Sequence, residues 1–169
     1  ANGGASFTAA TGLGSTNSFF NERAEVCYAR ATPSTIYASV DRNSGTIFRS
    51  TDNGATFTQT GTGANYVGGQ GWYDNIIWAD DPTDANRVLV GGIDLWRSTD
   101  GGATLTRISN WTQAPLSAHA DQHMIVTPPG YNGTSNQTLL FGNDGGVYRG
   151  SFIWAASVGP VEPCRTWRM

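Results

Sequence analysis

One stretch of this sequence occurs twice. Arg97-Ser98-Thr99-Asp100-Gly101-Gly102-Ala103-Thr104-Leu105 repeats, almost residue for residue, Arg49-Ser50-Thr51-Asp52-Asn53-Gly54-Ala55-Thr56-Phe57, 48 positions earlier. Each copy follows a short apolar run, Thr46-Ile47-Phe48 or Leu95-Trp96, and leads into a second run of β-formers. Ser, Thr and Asp side chains bond to backbone two residues on, and Gly accepts positive φ, so S-T-D-x-G predicts a hairpin turn. The Asp satisfies turn N–H groups, and the apolar residue three positions after the Gly (Phe57, Leu105) pins the turn to a core. Ser50, Asp52, Gly54, Ser98, Asp100 and Gly102 are therefore expected to be structural.

The repeat extends beyond the turn. Pro33, Pro82 and Pro129 lie 49 and 47 residues apart, and eight positions before each stands a carboxylate: Glu25, Asp74, Asp121. Between carboxylate and proline runs a mostly apolar strand: Val26-Cys27-Tyr28-Ala29, Ile76-Ile77-Trp78-Ala79, Met124-Ile125-Val126. Second strands follow at Thr35-Ile36-Tyr37-Ala38, Arg87-Val88-Leu89-Val90 and Thr138-Leu139-Leu140-Phe141. Third strands are Ile47-Phe48-Arg49, Leu95-Trp96-Arg97 and Val147-Tyr148-Arg149, and the turn leads to a fourth, residues 56–60 or 104–108. Four strands in nearly fifty residues match a β-propeller blade better than a solenoid coil or a sandwich. The expectation is all-β: two complete blades plus three strands of a third, over residues 22–150. Residues 1–21 read as a loop-rich segment with one aromatic pair, Phe19-Phe20. Residues 151–169 read as a divergent tail without the expected Asp-x-Gly. Closed propellers typically need four to eight blades, so the chain should self-associate or pair with missing blades.

Composition excludes several classes. There is no lysine, the ten cations are all arginine and spread out, and the net charge is −3, which leaves no basic nucleic-acid footprint. No apolar run approaches the roughly 20 residues of a membrane helix. Ala1-Asn2-Gly3-Gly4 shows no charged-then-apolar leader, so any leader has been removed or lies elsewhere. Cys27 and Cys164 are too few for a disulfide framework or a metal knuckle, and two free thiols are favoured over a bridge.

Three constellations could carry chemistry. In Ser117-Ala118-His119-Ala120-Asp121-Gln122-His123, a strand would project His119, Asp121 and His123 from one face. Two imidazoles and a carboxylate suit a divalent metal or an acid–base pair with its orienter, and equally suit polar residues facing a wet channel. The carboxylates Glu25, Asp74 and Asp121 would ring one mouth of the channel. Crowding should raise at least one pKa, as a general acid requires. An acidic rim that binds a cation or caps strand starts is the alternative. Carboxyls about 6.5–9.5 Å apart suit inverting glycoside hydrolysis, and about 5–5.5 Å the retaining kind. Third, Gly142-Asn143-Asp144-Gly145-Gly146 is a hairpin-turn signature. Of the aromatics Trp72, Tyr73, Trp78, Trp96 and Trp111, the Gly-flanked Trp72 and Tyr73 are best placed to stack on a sugar ring; the rest suit packing between blades.

The pattern S-x-D-x-G-x-x-[aromatic/apolar] resembles the Asp-box, or BNR, repeat of sialidase-like and sortilin-like propellers. Gly69-Gln70-Gly71-Trp72-Tyr73-Asp74-Asn75, H-A-D-Q-H and N-D-G-G-V-Y-R are similar to secreted bacterial glycosyl-hydrolase-like members of that group. D-G-G-V-Y-R also resembles the motif around a catalytic Asp in xyloglucanase-type propellers. The resemblance implies an extracellular or periplasmic protein that acts on or binds carbohydrate, as a glycoside hydrolase with an inverting carboxylate pair or as a non-catalytic glycan- or protein-binding module. It nominates Asp144 as general base beside Asp121 and Asp74, with Trp72, Tyr73 and Glu25 as substrate contacts. No cofactor is implied beyond the possible divalent metal at His119, Asp121 and His123. A sialidase would need an Arg-Ile-Pro motif, which the sequence lacks. Arg49, Arg97 and Arg149 hold equivalent repeat positions and so look structural.

Overall fold

The computed structural model describes residues 6–14, 22–61, 64–151, 153–154 and 161–163; Phe19, Phe20 and Cys164 lie outside them. Three antiparallel four-stranded sheets follow one another, each in simple up-and-down order. The first holds β1 (Ala24–Ala29), β2 (Thr32–Val40), β3 (Thr46–Ser50) and β4 (Thr58–Gln59). The second holds β5 (Ile76–Trp78), β6 (Val88–Gly91), β7 (Leu95–Ser98) and β8 (Thr106–Arg107). The third holds β9 (Gln122–Val126), β10 (Leu139–Asn143), β11 (Gly146–Gly150) and β12 (Val161–Pro163). All nine inner strands fall where the repeat predicts them. The third sheet departs from expectation: β12, from the segment read as a patternless tail, pairs along β11 and supplies a fourth strand.

The two S-T-D-x-G segments form superimposable turns. Ser50 Oγ donates to Asp52 Oδ1 (2.7 Å) and accepts from Gly54 N (2.9 Å). Ser98 Oγ does the same with Asp100 (2.7 Å) and Gly102 N (2.8 Å). A threonine closes each turn: Thr56 N and Oγ1 donate to Asp52, and Thr104 N and Oγ1 to Asp100. Two successive residues adopt positive φ, Asn53-Gly54 (60° and 85°) and Gly101-Gly102 (72° and 88°). This explains why these positions hold only Asn or Gly. Four acceptor contacts on an exposed carboxyl hold Asp52 down at about 2.

Sheet-to-sheet packing holds the blades together. Cys27, Tyr37 and Ile47 of the first sheet meet Ile77, Val88, Val90 and Trp96 of the second. Trp78, Leu89 and Leu95 on the second sheet's other face meet Leu139, Phe141 and Tyr148 of the third. Leu89, Leu95, Leu139 and Phe141 are completely buried. At about 1.5–3 kcal/mol per such side chain, this interface outweighs any turn hydrogen bond of about 1 kcal/mol. Two buried amides anchor the inner strands at one end. Asn75 accepts from Ser39 Oγ and donates to the carbonyls of Arg23 and Ser39. Gln122 donates to the carbonyls of Ile93 and His119, and its backbone N–H bonds Gly92 O.

Candidate active site

The end of the sheets where β5 and β9 start carries the polar cluster. Residues 67–74 form a loop of tight turns, with Gln70 N bonding Val67 O and Tyr73 N bonding Gln70 O (2.7 Å). Gly71 is required there, since a Cβ would lie 2.5 Å from the Asp41 carboxyl. Arg23 reaches over from the first sheet, its guanidinium donating to Tyr73 O (2.6 Å) and Trp72 O (3.4 Å). Glu25 holds that arginine, accepting from Arg23 Nε at 2.9 Å.

This loop places three carboxyls in two linked groups. The amide nitrogen of Gln70 spends both protons on carboxylates, donating to Asp74 Oδ2 (2.7 Å) and Asp121 Oδ1 (2.6 Å). Asp74 is fully buried, and its Oδ1 has no hydrogen-bond partner among the described residues. Burial first, then the charge of Asp121, pushes the Asp74 carboxyl up to about 6. Burial disfavours the ionised form, and an adjacent like charge adds to it. The second group centres on Asp144, in the β10–β11 turn. His123 Nε2 lies 2.7 Å from Asp144 Oδ1, and Tyr73 OH donates to both carboxyl oxygens at 3.1 Å. The His123 contact, helped by Tyr73, holds Asp144 below the usual carboxylate range. The same bond raises the Tyr73 phenol, which must stay protonated to donate. Tyr73 and His123 meet edge to face, ring centres 4.9 Å apart, and Trp72 tilts against Tyr73 at 5.6 Å. Trp72 is largely exposed, whereas Trp78 is buried in the core.

Two expectations need correction. His119, Asp121 and His123 do not project from one strand face to a common point. Asp121 precedes β9 and has φ 65°, and His123 is an extra residue in a β-bulge, since Gln122 pairs with Asn143 and Met124 with Gly142. Alternation therefore fails across the motif: Asp121 turns to Gln70 and His123 to Asp144, while His119 packs against Gly145. Among the described residues no three His, Cys, Asp or Glu side chains gather as a metal site. Nor do the carboxylates form one row. Ser50 pairs with Ile36 and Ser98 with Val88, which makes Glu25, opposite Ser39, the counterpart of Ile76, opposite Gly91. The first-sheet counterpart of Asp74 is thus Arg23, and Glu25 acts on the loop through it. Gln70 and Arg23 were missed; the Gly-Gln-Gly setting of Gln70 was the one sign of a constrained polar group. Two of the repeat arginines make structural contacts: Arg49 lies over the ring of Tyr37, its cross-strand partner in the first sheet, and Arg97 donates to Ile153 O.

No family model matches the chain. Over 91 residues, covering 46% of this chain and 10% of the relative, it is 36% identical to a xyloglucanase of Hypocrea jecorina (strain QM6a). The structure matches YCF48 from Cyanidioschyzon merolae with a TM-score of 0.51 at 15% identity, over 80% of this chain and 35% of that one. It matches the GH74 enzyme of Niastella koreensis with a TM-score of 0.51 at 21% identity, over 84% of this chain and 22% of that one. The fold is a partial β-propeller. The three sheets are its blades, with β1, β5 and β9 innermost. This chain spans about a tenth of the xyloglucanase it resembles in sequence.

Proposed function

We propose that this propeller segment belongs to a secreted, glycoside-hydrolase-like protein that engages carbohydrate where Asp74, Asp121 and Asp144 gather. The observation that carries the reading is the gathering of carboxyls in opposed surroundings, Asp74 buried beside Asp121 on Gln70 and Asp144 exposed against His123 and Tyr73. Asp74, which shares Gln70 with Asp121, holds a proton up to about pH 6, whereas the carboxyl of Asp144 is held below the usual carboxylate range by His123 and Tyr73. Titratable pairs driven apart by their surroundings are how acid and base roles are divided at one pH. In this reading the Asp74–Asp121 pair supplies the general acid, with Asp121 its less buried member. Asp144 serves as the base toward water, and Trp72 with Tyr73 forms the platform for a sugar ring. The sequence likeness to a xyloglucanase supports a plant-type β-glucan as substrate class. The paired Ser-Thr-Asp turns are read as Asp-boxes, in keeping with a secreted propeller. No helix among the described residues is long and apolar enough to cross a membrane.

A second reading, glycan binding without turnover, is favoured by the complete burial of Asp74, which denies it direct contact with a ligand. Calorimetry and reducing-end release with xyloglucan oligosaccharides separate the two. Hydrolysis by the wild type that is lost in Asp121→Asn and Asp144→Asn supports catalysis. Binding lost in Trp72→Ala with no hydrolysis supports the module. The absence of both binding and turnover would refute the carbohydrate assignment.

A further inference from the structure

Asp74 and Asp121 stand at the same place in successive blades, each directly before the amide that anchors its strand, Asn75 or Gln122. Two carboxyls brought side by side from adjacent blades repel each other when both are ionised. Gln70 lies between them. Its amide nitrogen has two protons, and one goes to each carboxyl, to Asp74 Oδ2 at 2.7 Å and to Asp121 Oδ1 at 2.6 Å. An amide suits this place because it donates twice while carrying no charge of its own. A lysine or arginine would hold both carboxyls ionised, and an apolar side chain would leave both without a donor.

Each of the three groups is held where this contact requires it. The N–H of Gln70 bonds Val67 O, and its carbonyl receives Tyr73 N (2.7 Å) and Asp74 N (3.2 Å). On one side of it Gly71 leaves no room for a Cβ beside Asp41, and on the other Gly68, at φ 57°, lies against Ile93. The backbone of Gln70 is thus fixed by bonds that no replacement of its side chain removes. Asp121 comes from the third blade with its N–H on Ile93 O (3.2 Å) and φ 65°. A left-handed conformation is uncommon outside glycine and persists where the surroundings over-determine it; here it accompanies a carboxyl turned to Gln70. Asp74 is completely buried, while Gln70 and Asp121 are half-buried. Asp74 Oδ1 receives no donor from the described residues. A buried oxygen without a donor is satisfied by carrying a proton itself, and the neighbouring Asp121 carboxyl is an acceptor for it.

We infer that Gln70 is the positioning residue of this site, the amide that holds Asp74 and Asp121 together as one proton-sharing pair. Its part in a reaction rests on the reading of that pair as the general acid; its hold on the two carboxyls does not. Burial raises the Asp74 carboxyl, the Gln70 bond works against that rise, and the charge and hydrogen bonding of Asp121 add to it. Gln70 therefore stabilises the charge on the pair without taking up the proton that the pair keeps. The other titratable and charged groups around the pair are Tyr73, Asp144, His123 and His119, with Asp41 across the loop. Arg23, held by Glu25, reaches the carbonyls of Trp72 and Tyr73. Tyr73 feels the charge of Asp144 first, then of Asp121 and Asp74, and stays a neutral donor to Asp144. None of these groups bonds the Gln70 side chain, so replacing it leaves their own contacts in place.

The test is a carbon-13 titration of the aspartate carboxyls in the whole chain, the Asp74 signal being identified by its loss in Asp74→Asn. Gln70→Met keeps the length of the side chain and removes both donors, so Asp74 should titrate about one pH unit or more above its value of about 6. Gln70→Lys sets a positive charge in the same place, and Asp74 should titrate below about 6 by a similar amount. Asp121→Asn removes the neighbouring charge and should also lower Asp74, the mark of a coupled pair. Circular dichroism of both Gln70 variants should match the wild type, because the backbone bonds of Gln70 remain. With xyloglucan oligosaccharides as substrate, the alkaline limb of kcat should move with Asp74, up in Gln70→Met and down in Gln70→Lys. A residue that only braced the loop would change rates without moving that limb. Shifts of the same sign in Gln70→Met and Gln70→Lys overturn the inference, as does an Asp74 titration that neither variant moves or that ignores Asp121→Asn. The titration needs no carbohydrate. A wild type that neither binds nor cleaves the oligosaccharides would therefore sink the function proposed above, while opposite shifts in the two variants would still establish the hold of Gln70 on the pair.

Discussion

Asp81 joins two blades at the end opposite the carboxyl cluster, and removing it should loosen that joint. It is completely buried and accepts from Thr83 N (2.8 Å), Thr83 Oγ1 (2.6 Å), Asp84 N (3.1 Å), Arg87 Nη1 (3.0 Å) and Tyr131 OH (2.6 Å). The first three close the β5–β6 loop of the second blade. Tyr131 comes from the third, where its hydroxyl also accepts from Trp154 Nε1 (3.0 Å). Removing one partner of a buried pair costs about 3–5 kcal/mol. Arg87 keeps its bond to Gly133 O (2.7 Å) and a side chain 22% exposed, so the lower end applies. Asp81→Ala should therefore cost about 3 kcal/mol, or roughly 6–12 °C in Tm. Asp81→Asn keeps an acceptor for the loop but turns an NH2 toward Arg87 and should cost about 2 kcal/mol. The Asp81 carboxyl is held below its ordinary value by Thr83, Tyr131 and Arg87 against the opposing effect of burial. Its contribution is thus complete above the unfolded value of about 3.9 and is lost as pH falls through the folded value. Thermal melts at one protein concentration, at pH 7 and across acid pH, should show a wide gap that closes below about pH 4. An Asp81→Ala protein melting within about 2 °C of wild type at pH 7 would refute the reasoning.

Asp74 should act in the opposite sense. With a folded value of about 6 against about 3.9 unfolded, the native chain binds more protons between them, so this group lowers stability as pH rises through that window. Urea midpoints at pH 5 and pH 8 should differ less in Asp74→Asn than in wild type, and an unchanged difference would count against the burial argument. His123→Ala frees Asp144, whose carboxyl should rise toward the ordinary range in a carbon-13 titration; no movement would mean the 2.7 Å contact is not formed in solution. Ser98→Ala removes the acceptor for Gly102 N and Asp100 N in a buried turn and should cost about 1–2 kcal/mol, read from urea midpoints. Gly71→Val should displace the 67–74 loop from Asp41 and shift the fluorescence of Trp72, while a wild-type spectrum would show that the loop has slack.

The architecture was legible because it is periodic. Ile76-Ile77-Trp78, Leu95-Trp96-Arg97 and Val147-Tyr148-Arg149 lie on strands as their spacing requires, and both Ser-Thr-Asp turns close with the expected bonds. What the pattern could not convey lay where one copy deviates from the others. Aligning on prolines placed Glu25 with Asp74, but the β1–β2 connection has its own register shift at Tyr28-Ala29, and strand pairing puts Arg23 there instead. Alternation assigned Asp121 and His123 to one face, but the bulge inserts a residue between them and their partners. β12 was unreadable because its pairing with β11 is through backbone, and Val-Glu-Pro carries no strand signal of its own. Asp74, Asp121 and Asp144 do fall at one end of the molecule. Their division into a Gln70-bridged pair and a histidine-bound carboxylate depends on a loop whose course only packing decides.

The bulge at His123 has a consequence for how chemistry is added to a modular scaffold. Asn75 ties its strand to the preceding blade through its side-chain amide, which donates to Ser39 O, and Gln122 ties its own through its backbone N–H to Gly92 O and its side chain to Ile93 O. The additional residue is absorbed just beyond it, and Met124 onward regains step with β10. One module thereby gains an imidazole aimed at Asp144, which its neighbour, with Asn75 followed directly by Ile76, lacks. A repeat protein built this way can be given an additional side chain at one end of a blade by lengthening one unit by a single residue, with the strand pairing back in step beyond it.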